Sequence, residues 1–333
     1  YPPRTAPIEA QTVRGFVRLK DKVQRYYEYY SPKENKQTLV FINGLIWPLS
    51  RWTDMIEELK NRGYGILIYD MRGQSKTLLQ EQKEFFQPLF AYTGLSIQSE
   101  SDELIQLMDA IGLKEKVVLV PLSYGAAAGT RFYQQHPDRI SELIFLAPLI
   151  RSLDNYDPEG GKLNQQLNQM RAQLGPVAGP VYYEMAYNSA MHAFLEKRIT
   201  PEKIPAEMKP IQYVYKESLY QLIRAVRDFY LLKEFPFEGG PKVSLFLAEQ
   251  ENPAMLIEQK EFFQKLNPKV KGIQVLVKNV KHAIPDERGT FVAQAIDLML
   301  NKDERLVNGA TYELTSGGEI LPKDTIADTE SHQ

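Results

Sequence analysis

Ser123 stands where an apolar run, Val117-Val118-Leu119-Val120-Pro121-Leu122, gives way to Tyr124-Gly125-Ala126-Ala127. A buried strand that turns sharply into a helix needs small residues beside the turn, because the two backbones come close there. Gly125 and Ala126 supply them. A serine at such a corner has its hydroxyl aimed out of the sheet with the positive end of the next helix behind it, which is the arrangement of a nucleophile elbow. The G-x-S-x-G form of that corner is half present, since Gly125 fits and Pro121 occupies the first glycine position. Proline is unexpected at the end of a central strand because it has no ladder N–H. With no cysteine in the chain, thiolate nucleophiles, disulfides, thiolate zinc sites and Fe–S clusters are excluded. No G-x-x-x-x-G-K-[ST] run, H-E-x-x-H or strand-following G-x-G-x-x-G occurs, so nucleotide and zinc chemistry have no motif and no cofactor or metal is expected.

The elements that must position this serine follow from hydrophobic periodicity. Alternating apolar residues in Phe16-Val17-Arg18-Leu19 and Val23-Gln24-Arg25-Tyr26-Tyr27-Glu28-Tyr29, with Asp21 between, predict an antiparallel hairpin. Thr38-Leu39-Val40-Phe41-Ile42 reads as a strand buried on both faces, followed by a helix through Trp52, Met55, Ile56 and Leu59 that stops at Gly63. The rhythm repeats: strand 65–69, helix 104–111 closed by Gly112, strand 117–120, helix 126–132 ending at His136-Pro137, strand 143–146. Alternating strands and helices predict a mostly parallel, doubly wound α/β sheet with right-handed crossovers. Residues 151–239 then carry no buried-strand run, only helical stretches broken by Pro176, Pro180, Pro201, Pro205 and Pro210 and rich in Tyr and Met. They read as an inserted helical cap, with 1–150 and 240–304 forming one discontinuous core. Strands resume at 243–247 and 273–277, with helices near 257–266 and 291–300, and residues 305–333 read as a tail, docked or mobile.

Four blocks in this order resemble the α/β-hydrolase superfamily over roughly residues 15–300. Asn43-Gly44-Leu45 is similar to its His-Gly-x segment, and Asp70-Met71-Arg72-Gly73-Gln74-Ser75-Lys76-Thr77 to its D-x-R-G-x-G-x-S turn. Glu249-Gln250-Glu251 follows a strand as its acid loop does, and Val280-Lys281-His282-Ala283 follows the last strand, where the family carries its histidine. The resemblance implies a serine hydrolase in which His282 takes the Ser123 proton, Glu251 orients the ring, and backbone N–H groups of Leu45 and Tyr124 form the oxyanion hole. Glu249, two residues away, and Asp154, one strand earlier, remain alternatives for the acid. Of the other histidines, His136 lies at a helix end, His192 in the cap and His332 in the tail. A serine rather than an aspartate at the elbow disfavours dehalogenase or epoxide-hydrolase chemistry.

The expected substrate is therefore a small ester or related acyl compound, apolar on the evidence of the cap. Pro121, Asn43 and Glu251 depart from the family pattern and keep open a catalytically silent binding protein, and a cap-gated peptidase or C–C hydrolase shares the triad. Nucleic acid is not an expected partner, because 40 Lys and Arg against 42 Asp and Glu supply no positive field. At 333 residues with 43% hydrophobic content the chain can bury a large core, and no apolar run reaches the length of a membrane span. The first residue is Tyr1 rather than Met, which fits loss of an upstream piece such as an export signal. The sequence leaves a periplasmic or secreted location and a cytoplasmic one both open, and it does not set the oligomeric state.

Overall fold

The computed structural model describes residues 12–20, 24–84, 94–197, 200–236 and 238–323. In chain order they form β1 (Thr12–Arg18), β2 (Gln24–Tyr30), β3 (Thr38–Ile42), α1 (Thr53–Asn61), β4 (Gly65–Tyr69), α2 (Ser75–Glu84), α3 (Ile97–Ala110), β5 (Val117–Pro121), α4 (Gly125–Gln135) and β6 (Ile140–Leu146). Five helices follow before the next strand: α5 (Pro158–Gln173), α6 (Gly175–Glu196), α7 (Ile204–Gln212), α8 (Lys216–Ala225) and α9 (Leu231–Glu234). The chain then returns through β7 (Lys242–Ala248), α10 (Pro253–Lys265), β8 (Lys271–Val277), α11 (Ile284–Leu300), β9 (Thr311–Leu314) and β10 (Ile320–Pro322).

The ten strands make one sheet ordered β1-β2-β4-β3-β5-β6-β7-β8-β9-β10. From β4 across to β9 the neighbours run parallel, while β1, β2 and β10 are antiparallel at the two edges. The continuous apolar runs are explained by burial on both faces: Leu39 and Phe41 point to the side of α1 and α11, Val40 and Ile42 to the side of α3, α4 and α10. Trp52, Met55, Leu59, Val292 and Ile296 fill the first layer, and Leu104, Leu107, Phe132 and Phe262 the second. At roughly 1.5–3 kcal/mol for each buried large side chain, these two layers dominate the favourable free energy.

Three features differ from the sequence expectation. The segment after 305 adds β9 and β10 to the sheet, where Tyr312 and Leu314 point into the core and Thr311 and Glu313 do not. Four residues of alternation are too short to stand out in a polar stretch, and residues 324–333 lie outside the described part. The helix α2 carries few apolar residues and was not expected, while Asp21, Val23 and His332 lie outside the described residues. Pro180 and Pro210 do not break helices but sit inside α6 and α7. Pro180 is six residues into α6 and Pro210 three from the end of α7, so each removes a hydrogen bond near a terminus, where its loss costs least.

Two corners set the ground for the site. Ser123 has φ +51°, a left-handed conformation that costs an L-residue about 1–2 kcal/mol. Its N–H donates to Leu146 O at 3.0 Å, and its carbonyl accepts from Ala126 N at 2.9 Å and Leu149 N at 3.0 Å, so the strained turn is held from both sides. A Cβ on Gly125 would lie 2.6 Å from Ile42 O and 2.9 Å from Asn43 O, both backbone atoms that cannot swing away. Pro121 is accommodated by a second glycine: a Cβ on Gly129 would meet its ring at 2.9 Å. The β5–β6 ladder runs to Leu119 and resumes at Leu122–Leu146, and the missing proline N–H falls in that gap. At the end of β4, Asp70 is 1% exposed and accepts from Lys76 N at 3.0 Å, and burial pushes its carboxyl up to about 7.

Gly125→Ala should therefore lower stability by about 3 kcal/mol in urea unfolding, whereas Ala126→Gly should cost no more than the ordinary helix penalty of about 1 kcal/mol. Since the folded Asp70 pKa lies above its unfolded value of 3.8, the folded state holds a proton there and loses that stabilisation as pH rises through 7. The melting temperature of Asp70→Asn should gain on that of the parent protein between pH 4 and 8, and a difference that does not change with pH would contradict this.

Candidate active site

Ser123, His282 and Glu251 come from three separate strand ends. Ser123 follows β5, Glu251 follows β7 and His282 follows β8, all at the carboxyl edge of the parallel strands, where an open α/β sheet presents its ligand crevice. His282 Nε2 lies 2.7 Å from Ser123 Oγ, and His282 Nδ1 contacts Glu251 Oε2. With the Nδ1 proton donated to the carboxylate, Nε2 is left as acceptor for the serine hydroxyl. The carboxylate side chain is 6% exposed and the imidazole 37%, so the acid is sheltered while the ring faces the cavity. The other Glu251 oxygen accepts from Asn252 N at 2.9 Å, fixing the carboxylate plane.

The two loops that bring acid and histidine together are bonded to each other. Glu249 N donates to Val277 O at 3.0 Å and Gln250 N to Val280 O at 2.9 Å. Glu249 itself turns away from His282, pairing with Lys278 and accepting from Asn279 N at 2.8 Å, and these partners hold its carboxyl below the usual range. Its geometry is that of a clamp between the loops. Asp154 is exposed and lines the cavity in front of Ser123, but the carboxylate on His282 is Glu251. His192 pairs with Glu196 along the exposed side of α6, and His136 packs on Phe132, so neither approaches Ser123.

Leu45 and Tyr124 flank the serine with backbone N–H groups that have no acceptor among the described residues. The loop after β3 approaches closely, since a Cβ on Gly44 would stand 3.4 Å from Ser123 Cβ. Tyr124 contributes only its backbone here: its phenol is fully buried, and burial with the Glu100 carboxylate nearby pushes it well above its ordinary value. Asn43 has a scaffolding task that the sequence did not reveal. Its amide donates to Tyr69 O at 3.1 Å and accepts from Trp52 Nε1 at 2.7 Å, tying the ends of β3 and β4 to α1.

In front of Ser123 and His282 lies a cavity of about 200 Å³ walled by Leu45, Leu149, Ile223 and Val226. Past Leu45 and Ile223 it meets a second cavity of about 280 Å³ among Leu163, Leu167, Tyr187, Met191 and Phe194 of α5 and α6. These lining residues were hidden in the sequence, because helical periodicity does not tell packing residues from cavity walls. The inserted helices are tied to the body where Tyr215 N donates to Gly73 O at 2.7 Å, Ser75 N to Tyr213 O at 2.8 Å and Leu231 N to Ile150 O at 2.7 Å. Among the described residues no group of His, Asp and Glu is placed to hold a metal ion, and no helix is long and apolar enough to cross a membrane.

Comparison with known proteins is consistent with this architecture. The "Putative carbamate hydrolase RutD" of Caulobacter sp. (strain K31) is 27% identical over 36% of this chain, which spans 40% of that relative's length. A haloalkane dehalogenase of Agrobacterium fabrum is 22% identical over 79% of this chain and 85% of its own. Among solved structures, a thermophilic esterase from Thermogutta terrifontis superposes with a TM-score of 0.61 at 17% identity, covering 88% of this chain and 99% of that one, a likeness of fold. The family model described as serine aminopeptidase, S33, matches residues 33–227, more than half of the sequence, and the chain belongs to this family of α/β-hydrolases.

Proposed function

We propose that this hydrolase cleaves a carboxylic ester or related acyl bond through an acyl-enzyme on Ser123. The observation that carries the reading is the unbroken contact from Ser123 Oγ through His282 to Glu251. As Ser123 Oγ bonds to the substrate carbonyl carbon, its proton passes to His282 Nε2, and the imidazolium is stabilised by the Glu251 carboxylate. The carbonyl oxygen, now negative, is met by the N–H groups of Leu45 and Tyr124, with the N-terminus of α4 behind. Collapse of this intermediate expels the alcohol, which takes the proton from His282. Water then repeats the sequence on the acyl-enzyme, releasing the acid and restoring the serine. Helices α5–α9 act as a cap over this chemistry, and their apolar cavity accepts the acyl chain.

The departures from the family pattern spare the reacting atoms. Pro121 sits behind the turn against Gly129, Asn43 is spent on Tyr69 and Trp52, and Glu251 offers the same carboxylate as an aspartate on a longer arm. A second reading, cleavage of an N-terminal peptide bond, draws on the exposed Asp154 carboxylate at the cavity wall, which could pair with an α-amine. The apolar walls around Ser123 favour the ester.

A fluorophosphonate probe should label Ser123, located by peptide mass spectrometry, and the label should vanish in Ser123→Ala. That variant should lose on the order of 10⁴-fold or more in kcat on p-nitrophenyl butyrate. Amino-acid p-nitroanilides turned over faster than the ester would transfer the assignment to the peptidase reading, and a folded protein that neither labels nor turns over would defeat both. Glu251→Gln should cost at least about 100-fold in kcat, whereas Glu249→Gln should stay within about fivefold of the parent and instead lower the melting temperature. Equal losses in the two variants would refute the assignment of Glu251 as the orienting acid.

A further inference from the structure

On the far side of Asp154 from Ser123, a groove of about 1160 Å³ runs between α5 and α8. Its charged lining is lopsided: Lys162, Arg171, Arg224 and Arg227 against the single carboxylate of Asp154. Arg171 is already neutralised, with Nε 3.1 Å and Nη2 2.5 Å from the two Glu217 oxygens, and its guanidinium lies 4.4 Å from the Tyr220 ring. Arg224 approaches the same ring at 5.4 Å. Among the described residues no carboxylate lies within ion-pair distance of Lys162, Arg224 or Arg227. Stabilisation of the α8 C-terminus would account for Arg224 in its last turn and Arg227 just beyond its end, but not for Lys162, which comes from α5 on the opposite wall. Three like charges facing one recess on a chain of net charge −2 repel one another, and none of the three is offset by a carboxylate within ion-pair distance among the described residues.

The groove adjoins the site. Asp154 lines the groove, the Ser123 cavity and the apolar cavity beyond it, and Gly161 lines both the groove and the apolar cavity. An apolar limb and a basic limb thus lie side by side, with the Ser123 cavity meeting both at Asp154. We infer that the basic limb is an anion subsite and that the natural substrate is an amphiphilic acyl compound with an apolar chain and a fixed negative group, a phosphate or a carboxylate. The ester part of this statement rests on the acyl-transfer function proposed above, while the anion subsite does not. A concave wall focuses the field of exposed cations, so three of them together hold an anion that any one alone would hold weakly.

Calorimetric titration with hexyl phosphate, hexanoate and hexan-1-ol separates charge from chain. The parent protein should bind hexyl phosphate at least about tenfold more tightly than hexan-1-ol, and added salt should shrink the advantage. Comparable affinity for hexanoate would place any anionic group in the subsite, and a preference for hexyl phosphate alone would assign it to phosphate. In Lys162→Gln/Arg224→Gln/Arg227→Gln, all exposed positions, the advantage should disappear while hexan-1-ol binding, the circular dichroism spectrum and p-nitrophenyl butyrate turnover stay unchanged. Equal affinity for all three ligands, no binding of any, or a triple variant that binds as the parent does would overturn the anion subsite. Selective hexyl phosphate binding by a protein that hydrolyses no ester would keep the subsite and remove the acyl-transfer reading instead.

Discussion

Everything at the candidate site depends on the close backbone contact between the start of α4 and the ends of β3 and β5. A left-handed Ser123 is unfavourable by itself, and it persists because hydrogen bonds from both neighbouring chain segments leave the turn no alternative. Gly125 lets α4 come within reach of the Ile42 and Asn43 carbonyls, so the start of the helix and the loop after β3 are held together beside Ser123. The same corner explains how the chain tolerates Pro121. Its ring fills the space opposite Gly129, and the ladder donor it lacks is one that the diverging β5 and β6 do not need.

Acid and histidine are positioned differently, by polar bonds between two loops rather than by packing. Glu249 ties the loop after β7 to the loop after β8, which leaves Glu251 facing His282 and limits the rearrangements open to either. A carboxylate buried beside a histidine is held by its partner and by the Asn252 amide, and without them its desolvation would be costly. The two acidic residues, two positions apart in sequence, thus meet different partners, Glu249 the loop after β8 through Lys278 and Asn279 and Glu251 the His282 ring, because the turn aims them in different directions.

The inserted helices are fastened by a small number of polar contacts at their ends. The edge formed by Gly73, Gln74 and Ser75 meets Tyr213, Val214 and Tyr215 as a short bridge, and the buried Lys216 ammonium caps the carbonyls of Ile211 and Val214 at 2.8 Å each. Burial lowers the Lys216 pKa, opposed by Glu184 from α6, so a charge that would be costly alone instead joins α6, α7 and α8. Apolar side chains from α5, α6 and α8 close over the cavity between these fastenings, and the groove on their outer side carries the unmatched positive charge.

The alternating rhythm of apolar strands and amphipathic helices is a local property, so the parallel core could be read from sequence one element at a time, as could the turn chemistry around Ser123. The resemblance to the α/β-hydrolases named Ser123, Glu251 and His282, residues that are 31 to 159 positions apart and in contact. Local pattern could not choose between Glu249 and Glu251, because two exposed-looking acids in one loop differ only in the direction the folded backbone gives them. It also missed β9 and β10, short polar strands ordered by pairing, β9 with β8 and β10 with β9, rather than by their own propensity. The apolar and basic limbs were equally invisible. A cavity is the space left between elements, and its shape and charge arise only when helices distant in sequence are packed against one another.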